Sequence, residues 1–497
     1  MKRRIAAFLL SLASVLSLAS CGPSQPSASS APPEEVADSS EEARPAVLTL
    51  AAHLDSSFHP ALATAKVNLT LAPLLYESLF TLDETFTPQP LLCQSYSVTP
   101  DQLTWTFTLR SGVTFSDGTS LTGTAVAEAL EVARGAGSRY QARLAAIDSI
   151  TGNNTQVVIT LTAPNGGLPA LLDIPIALGT EEHPLGTGAY VLDTASLTVR
   201  RDWWQGGSQP IQTISLRTAV HADDLIAAFD SGDISLLDTD LTTANALGYS
   251  GNYEVWDYNT SQLIYLGFNT LSGPCSLVEA RRALAVAIDR ETIAAQFYAG
   301  HAQAAALPVH PDSPWYDGPL ADTLSYNPES LVSALNRADL AGKDLVLLVN
   351  SENTARISAA QQIAYQLESV GLDVRIKSLP FSEYTTALAQ GEFDLYLAET
   401  LLPADFDLTA LVGTGGVVNY SFWADPQTDE LLAAFRSAQD SARSEQANAL
   451  LSHLVEQVPL TAVGFKNGSL LTQWGHFSGL SPVQNNIFAQ LAHWNIQ

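Results

Sequence analysis

The chain has 497 residues, and its 51 acidic against 23 basic side chains give a formal net charge of −28. Such a chain lacks the basic footprint that phosphate backbones require, which excludes nucleic acid as a partner and argues against broad adhesion to anionic lipid. Hydrophobic residues make up 46% and charged residues 15%, the balance of a soluble globular chain with a large core and room for two or three domains.

The first residues read as an export signal. Met1-Lys2-Arg3-Arg4 is a basic head, and Ile5 to Ser20 is an apolar or small-residue run, shorter than the ~20 residues a membrane span needs. Leu18-Ala19-Ser20-Cys21 resembles a bacterial lipobox, so residues 1–20 are expected to be removed and Cys21 to carry a lipid anchor. Residues 21–45 are rich in Ser, Pro, Ala, Asp and Glu. They cannot bury enough apolar surface to offset ordering entropy, and are expected to form a disordered tether.

Strands then dominate. Leu103–Arg110 and Thr155–Thr162 alternate apolar and polar residues with the period of half-buried strands. Leu121–Gly137 between them reads as a helix, with Thr122 or Thr124 as N-cap and glycines at its end. Ala189–Trp204 reads as two strands around a short turn. Cys275–Gly300 opens with Ser276-x-x-Glu279, the pattern of a capping box, and Asp289 can cap a second helix. From Leu345 the order is strand (Leu345–Val349), helix (Ala355–Val370), strand (Leu372–Leu379), helix (Ser382–Gly391) and strand (Phe393–Glu399). That βαβαβ order predicts a parallel sheet covered by helices. Asp425-Pro426 marks another helix start.

Catalytic signatures are absent: no His-Glu-x-x-His, no Cys-x-x-Cys, no Gly-x-Ser-x-Gly and no phosphate loop. The glycine pairs at Gly186–Tyr190 and Gly413–Gly416 read as tight turns. The nine histidines are scattered, and the closest pair, His53 and His59, has no standard ligand spacing, so no metal and no cofactor are expected. Beyond Cys21, the chain holds only Cys93 and Cys275, expected to be unpaired thiols.

Several segments together resemble family 5 of the bacterial extracytoplasmic solute-binding proteins, which serve ABC importers. They are Leu74–Leu130, with its Leu-Tyr-Glu-x-Leu start and Asp117-Gly118-Thr119 before a helix; His183–Tyr190; Tyr265–Thr270 with Glu279–Ile293; Gly391–Leu397; and Phe422–Leu432. The resemblance implies an α/β fold: a two-lobed periplasmic-binding-protein clamp of type II, cluster C-like, with an extra strand-rich subdomain. Lobe I would comprise residues 46–75, 183–265 and 470–497, the subdomain 76–182, and lobe II 266–469. Cys93 and Cys275 would then lie in different lobes. A peptide or similar small solute would lie between the lobes and pass to importer permease subunits. The protein would be a monomer touching the membrane only through its lipid.

In peptide-binding members the ligand amine meets an aspartate in an Asp-Tyr-x-Asp-Pro segment. Glu399–Leu411 occupies that place here, making Asp405 the candidate anchor, with Phe406 beside it, although the Pro and a preceding Trp are missing. A desolvated carboxylate makes a strong charge-assisted bond to an ammonium. Asn419, Tyr420 and Trp423 follow the glycine-rich turn and are candidate cleft residues. Arg356, just inside a helix that follows a strand, is a candidate partner for a ligand carboxylate. The competing readings are a nickel-chelate or other non-peptide binder of the same family, and a ligand-sensing regulatory lipoprotein built on the same clamp.

Overall fold

Two long strands, Tyr253–Phe268 and Leu460–Gln473, organise the fold. In the computed structural model, which describes residues 47–497 except 244–247, 338–339 and 341, they pair antiparallel along nearly their whole length. The expected export signal, Cys21 and tether lie outside the described residues. At one end of the pair, Trp256, Tyr258 and Leu470 pack with a core built around Leu48, Leu50, Ile214 and Leu216. At the other end side chains alternate between two cores. Ile264, Leu266 and Phe268 join one; Leu263, Tyr265 and Phe465 join the other. The register slips between Asn259 and Gln262, where the pair passes from the first core to the other two. Such a bulge bends the strand and interrupts its ladder.

The first core belongs to a four-stranded sheet in the order Leu48–Ala52, Thr213–Thr218, Ser196–Val199, Tyr190–Asp193. Its last two strands are the expected pair around a short turn. A separate antiparallel sheet runs Cys93–Val98, Thr104–Leu109, Gln156–Leu161, Ile147–Gly152. Its alternating inward residues Trp105, Phe107, Val157 and Ile159 pack with Val126 and Leu130 of helix Gly123–Arg134. Thr122 caps that helix, its hydroxyl accepting from the Ala125 N–H at 3.2 Å. A Cβ on Gly123 would fall 1.9 Å from the Gln156 carbonyl oxygen, so helix and sheet meet here only because the residue is glycine.

The βαβαβ segment forms as read. Strands Asp344–Asn350, Asp373–Leu379 and Leu395–Leu401 are parallel, with helices Thr354–Glu368 and Phe381–Gln390 between them. They do not form a sheet of their own. Leu395–Leu401 pairs antiparallel with Tyr253–Phe268, so the parallel strands are one side of a seven-stranded mixed sheet. The capping box at Ser276 does not form. Pro274–Ser276 is a turn of 3-10 helix, the Ser276 hydroxyl donates to the Gly273 carbonyl instead, and the next helix starts without a side-chain cap. Asp289 does cap, accepting from the Thr292 N–H, although the helix soon widens into a π turn over Ile293–Phe297.

Cys93 and Cys275 are free and buried in separate cores. Burial pushes the Cys93 thiol up to about 11, and raises Cys275 as well. Among the described residues no helix is long and apolar enough to cross a membrane.

Candidate functional site

A cleft of about 610 Å³ opens beside the bulge of the two crossing strands. Lys66, Thr70, Pro73, Asp238 and Tyr258 line it from the core around Leu48–Ala52. Arg139 and Asp173 line it from the strand-rich sheet's side, Asn353, Glu399 and Leu401 from the mixed sheet's parallel edge, and Gln484 and Asn485 from the C-terminal segment. The parallel strands end here at Asn350, Leu379 and Leu401, and ligands collect at the carboxyl ends of such strands. Helix Thr354–Glu368 starts at the same edge, with the Asn353 side chain accepting from the Arg356 N–H at 2.9 Å.

The floor is a chain of charges. Leu236–Thr239 pairs with Leu460–Gln473, placing Asp238 and then Asp240 on the cleft. The Lys466 ammonium, with a side chain only 8% exposed, lies 2.6 Å from Asp240 and 3.6 Å from Glu399. Glu399 also pairs with Arg356 at 2.9 Å and accepts from the Tyr298 hydroxyl at 3.1 Å. Burial raises the Asp240 carboxyl, but the Lys466 charge and hydrogen bond, with Thr242, outweigh it and hold the group below the usual carboxylate range. Burial likewise draws Arg356 down, and Glu399 more than restores it. Asp238 differs. Its carboxylate accepts from the Tyr258 hydroxyl at 2.7 Å, its cation is Lys66 at 3.8 Å, and burial leaves it above the usual range.

The residues singled out in the sequence fall in two places. Arg356 does not itself line the cleft but pairs with Glu399, which does. The other five do not line the cleft. Asp405 is 1% exposed; its carboxylate accepts from the Asn165 amide at 3.2 Å, and Arg443 donates to its carbonyl at 2.8 Å. Burial pushes its carboxyl up, with Arg443 opposing. Phe406 sits in an aromatic box with Phe86 at 5.2 Å and Trp315 at 5.7 Å. Asn419 braces its own loop by donating to the Gly413 and Trp423 carbonyls. Tyr420 packs edge-on to Tyr396, and Trp423 donates to the Thr428 hydroxyl beneath the Arg281 guanidinium. In this geometry Asp405 and Phe406 are interior residues of the lobe around the mixed sheet, and Asn419, Tyr420 and Trp423 are half-buried at its margin.

Asp238, Glu399 and Lys466 were not singled out in the sequence. The available signal was a single charge within a strand, Asp238 in Leu236–Thr239 and Glu399 in Leu395–Leu401. Among the described residues no group of three or more His, Cys, Asp or Glu side chains is placed to hold a metal ion.

Two lobes joined by a strand pair, with a polar cleft where they meet, suit a protein that encloses a solute. Residues 87–415 match the family model "Bacterial extracellular solute-binding proteins, family 5 Middle". The chain belongs to that family. Glutathione-binding protein GsiB of Escherichia coli O6:K15:H31 is 26% identical over 427 residues, covering 76% of this chain and 81% of GsiB. Among solved structures, the ABC transporter substrate-binding protein CtaP of Listeria monocytogenes superposes with a TM-score of 0.74 at 18% identity, over 90% of this chain and 99% of CtaP. The oligopeptide-binding protein AppA of Bacillus subtilis, in complex with a nonapeptide, does so with a TM-score of 0.63 at 19% identity, over 90% and 98%. The two-lobed α/β fold expected from the sequence is therefore the fold observed. The chain's relatives are solute-binding proteins rather than enzymes.

Proposed function

We propose that the protein captures a peptide or similar small solute in the cleft and delivers it to the permease subunits of an ABC importer, held outside the cell by a lipid on Cys21. The cleft itself carries this reading. Its volume lies within the roughly 300–1,000 Å³ of small-ligand sites. Its walls hold carboxylates, cations and amides, a set that suits a solute bearing both charges and main-chain hydrogen-bonding groups. The strand pair with its bulge at 259–262 is where one lobe can swing against the other, as in hinge closure around a ligand. Relatives named for glutathione and for a bound nonapeptide support a peptide-like ligand.

The test is a melting series on the purified full chain in detergent, followed by tryptophan fluorescence. The probes are alanine di- to hexapeptides, glutathione, free amino acids and a nickel–histidine complex. A ligand at about a hundred times its Kd adds roughly 2.7 kcal/mol of stability, a visible shift. A shift with peptides or glutathione is expected. A shift with the nickel complex alone replaces the peptide reading by a chelate reading. Loss of palmitate labelling in Cys21→Ser checks the anchor.

A further inference from the structure

The carboxylates on the cleft are not equally served. Asp240 has Lys466, Glu399 has Arg356, and Asp173 has Arg143, each a buried or largely buried cation in contact. Asp238 is also largely enclosed, with a side chain 15% exposed, yet its cation is Lys66, 3.8 Å away with a side chain 71% exposed. A long contact to a solvated lysine holds little free energy and is readily exchanged. The Tyr258 hydroxyl satisfies Oδ1, so Oδ2, the atom facing Lys66, is the one left for a better partner. Asp240, two residues on, adds to the negative potential.

We propose that Asp238, oriented by Tyr258, is the anchor for a primary ammonium group of the captured solute, and that Lys66 fills that place until the solute displaces it. This rests on the solute-capture reading above and names the chemistry its ligand must carry. Lys66 is the first residue of helix Lys66–Leu75, and its side chain already stands mostly in solvent. Lys66 and Asp238 also both line an adjoining cavity of about 390 Å³, so the pair borders two spaces a solute could enter. An ammonium on Asp238 keeps the charge balance that Lys66 supplied, but now desolvated and in direct contact, where a charge-assisted hydrogen bond is strongest.

The experiment is calorimetric titration of the full chain in detergent with trialanine and glutathione, each as the free amine and as its N-acetyl form. Wild type is expected to bind the free amine about tenfold or more tightly than the acetylated form. Asp238→Asn should bring the free amine down to the acetylated level while leaving the acetylated affinity unchanged, which also shows that the variant is folded. Lys66→Met should tighten free-amine binding several-fold, whereas a merely structural ion pair would leave it unmoved. If Asp238→Asn preserves the amine preference, or Asp405→Asn abolishes it instead, the assignment is overturned. Binding indifferent to acetylation overturns the assignment but not the capture reading. No binding of any probe to wild type overturns the peptide-capture reading and the assignment together.

Discussion

His310 should make the fold acid-labile by a calculable amount. The imidazole is fully enclosed, with ring centroids of Phe86 and Phe465 each 5.1 Å away. Nδ1 accepts from the Asp312 N–H at 3.1 Å, and Nε2 has no hydrogen-bond partner. An imidazolium here would lose its hydration and gain no acceptor, so burial lowers the pKa from 6.5 to about 4, with the nearby Asp312 charge opposing only weakly. The unfolded chain takes up its proton near 6.5 and the folded chain only near 4. The stability tied to this group is therefore whole above pH 6.5, is lost as pH falls from 6.5 to about 4, and changes no further below that. At 1.36 kcal/mol per unit the loss is on the order of 3 kcal/mol. Urea titrations of wild type and His310→Phe at steps from pH 7 to pH 4 isolate it from the carboxylates, which titrate in both. The variant should be about 1 kcal/mol less stable at pH 7, having removed the acceptor for the Asp312 N–H. It should be about 2 kcal/mol more stable at pH 4. A stability difference that stays constant across this range would refute the reasoning. Because Phe86, on the Asp83–Thr87 turn, packs against His310 in the core that also holds Leu307 and Val309, the acid loss should first loosen the seating of that turn.

Two further outcomes follow from the burial of specific groups. Glu399→Gln leaves Arg356 and Lys466 sharing too little negative charge in a nearly closed site and should cost about 3–5 kcal/mol. Adding Arg356→Gln should recover part of that loss in a double-mutant cycle by urea denaturation, and strict additivity would count against the network. Cys93 and Cys275 should resist thiol labelling in the native protein and react once it is unfolded, as mapped by mass spectrometry; prompt native labelling of either would contradict its enclosure.

The parts of the fold legible in the sequence are those decided within a few residues. Thr122 caps its helix, Asp425 accepts from the Thr428 N–H, and Thr104–Leu109 buries alternate side chains, because each outcome depends on local hydrogen bonds or on the pleat of one strand. Ser276 shows the limit even there: Pro274 starts a tighter turn, and the serine serves that turn instead of the helix. The motifs sufficed for the family, since they are themselves local. They did not suffice for the cleft. Asp405 stands at the motif's position, but Asn165, 240 residues earlier, and Arg443 close over it.

Asp240 meets Lys466 across 226 residues, and Glu399 meets the same lysine from a strand in between. Amino-acid order by itself determined which segments are helix or strand, which faces are apolar and which family the chain resembles. Only the tertiary structure decided which charges share a cleft and which are sealed in a core. Periodicity records how a residue sits on its own element, whereas desolvation and ion pairing depend on what distant strands bring against it.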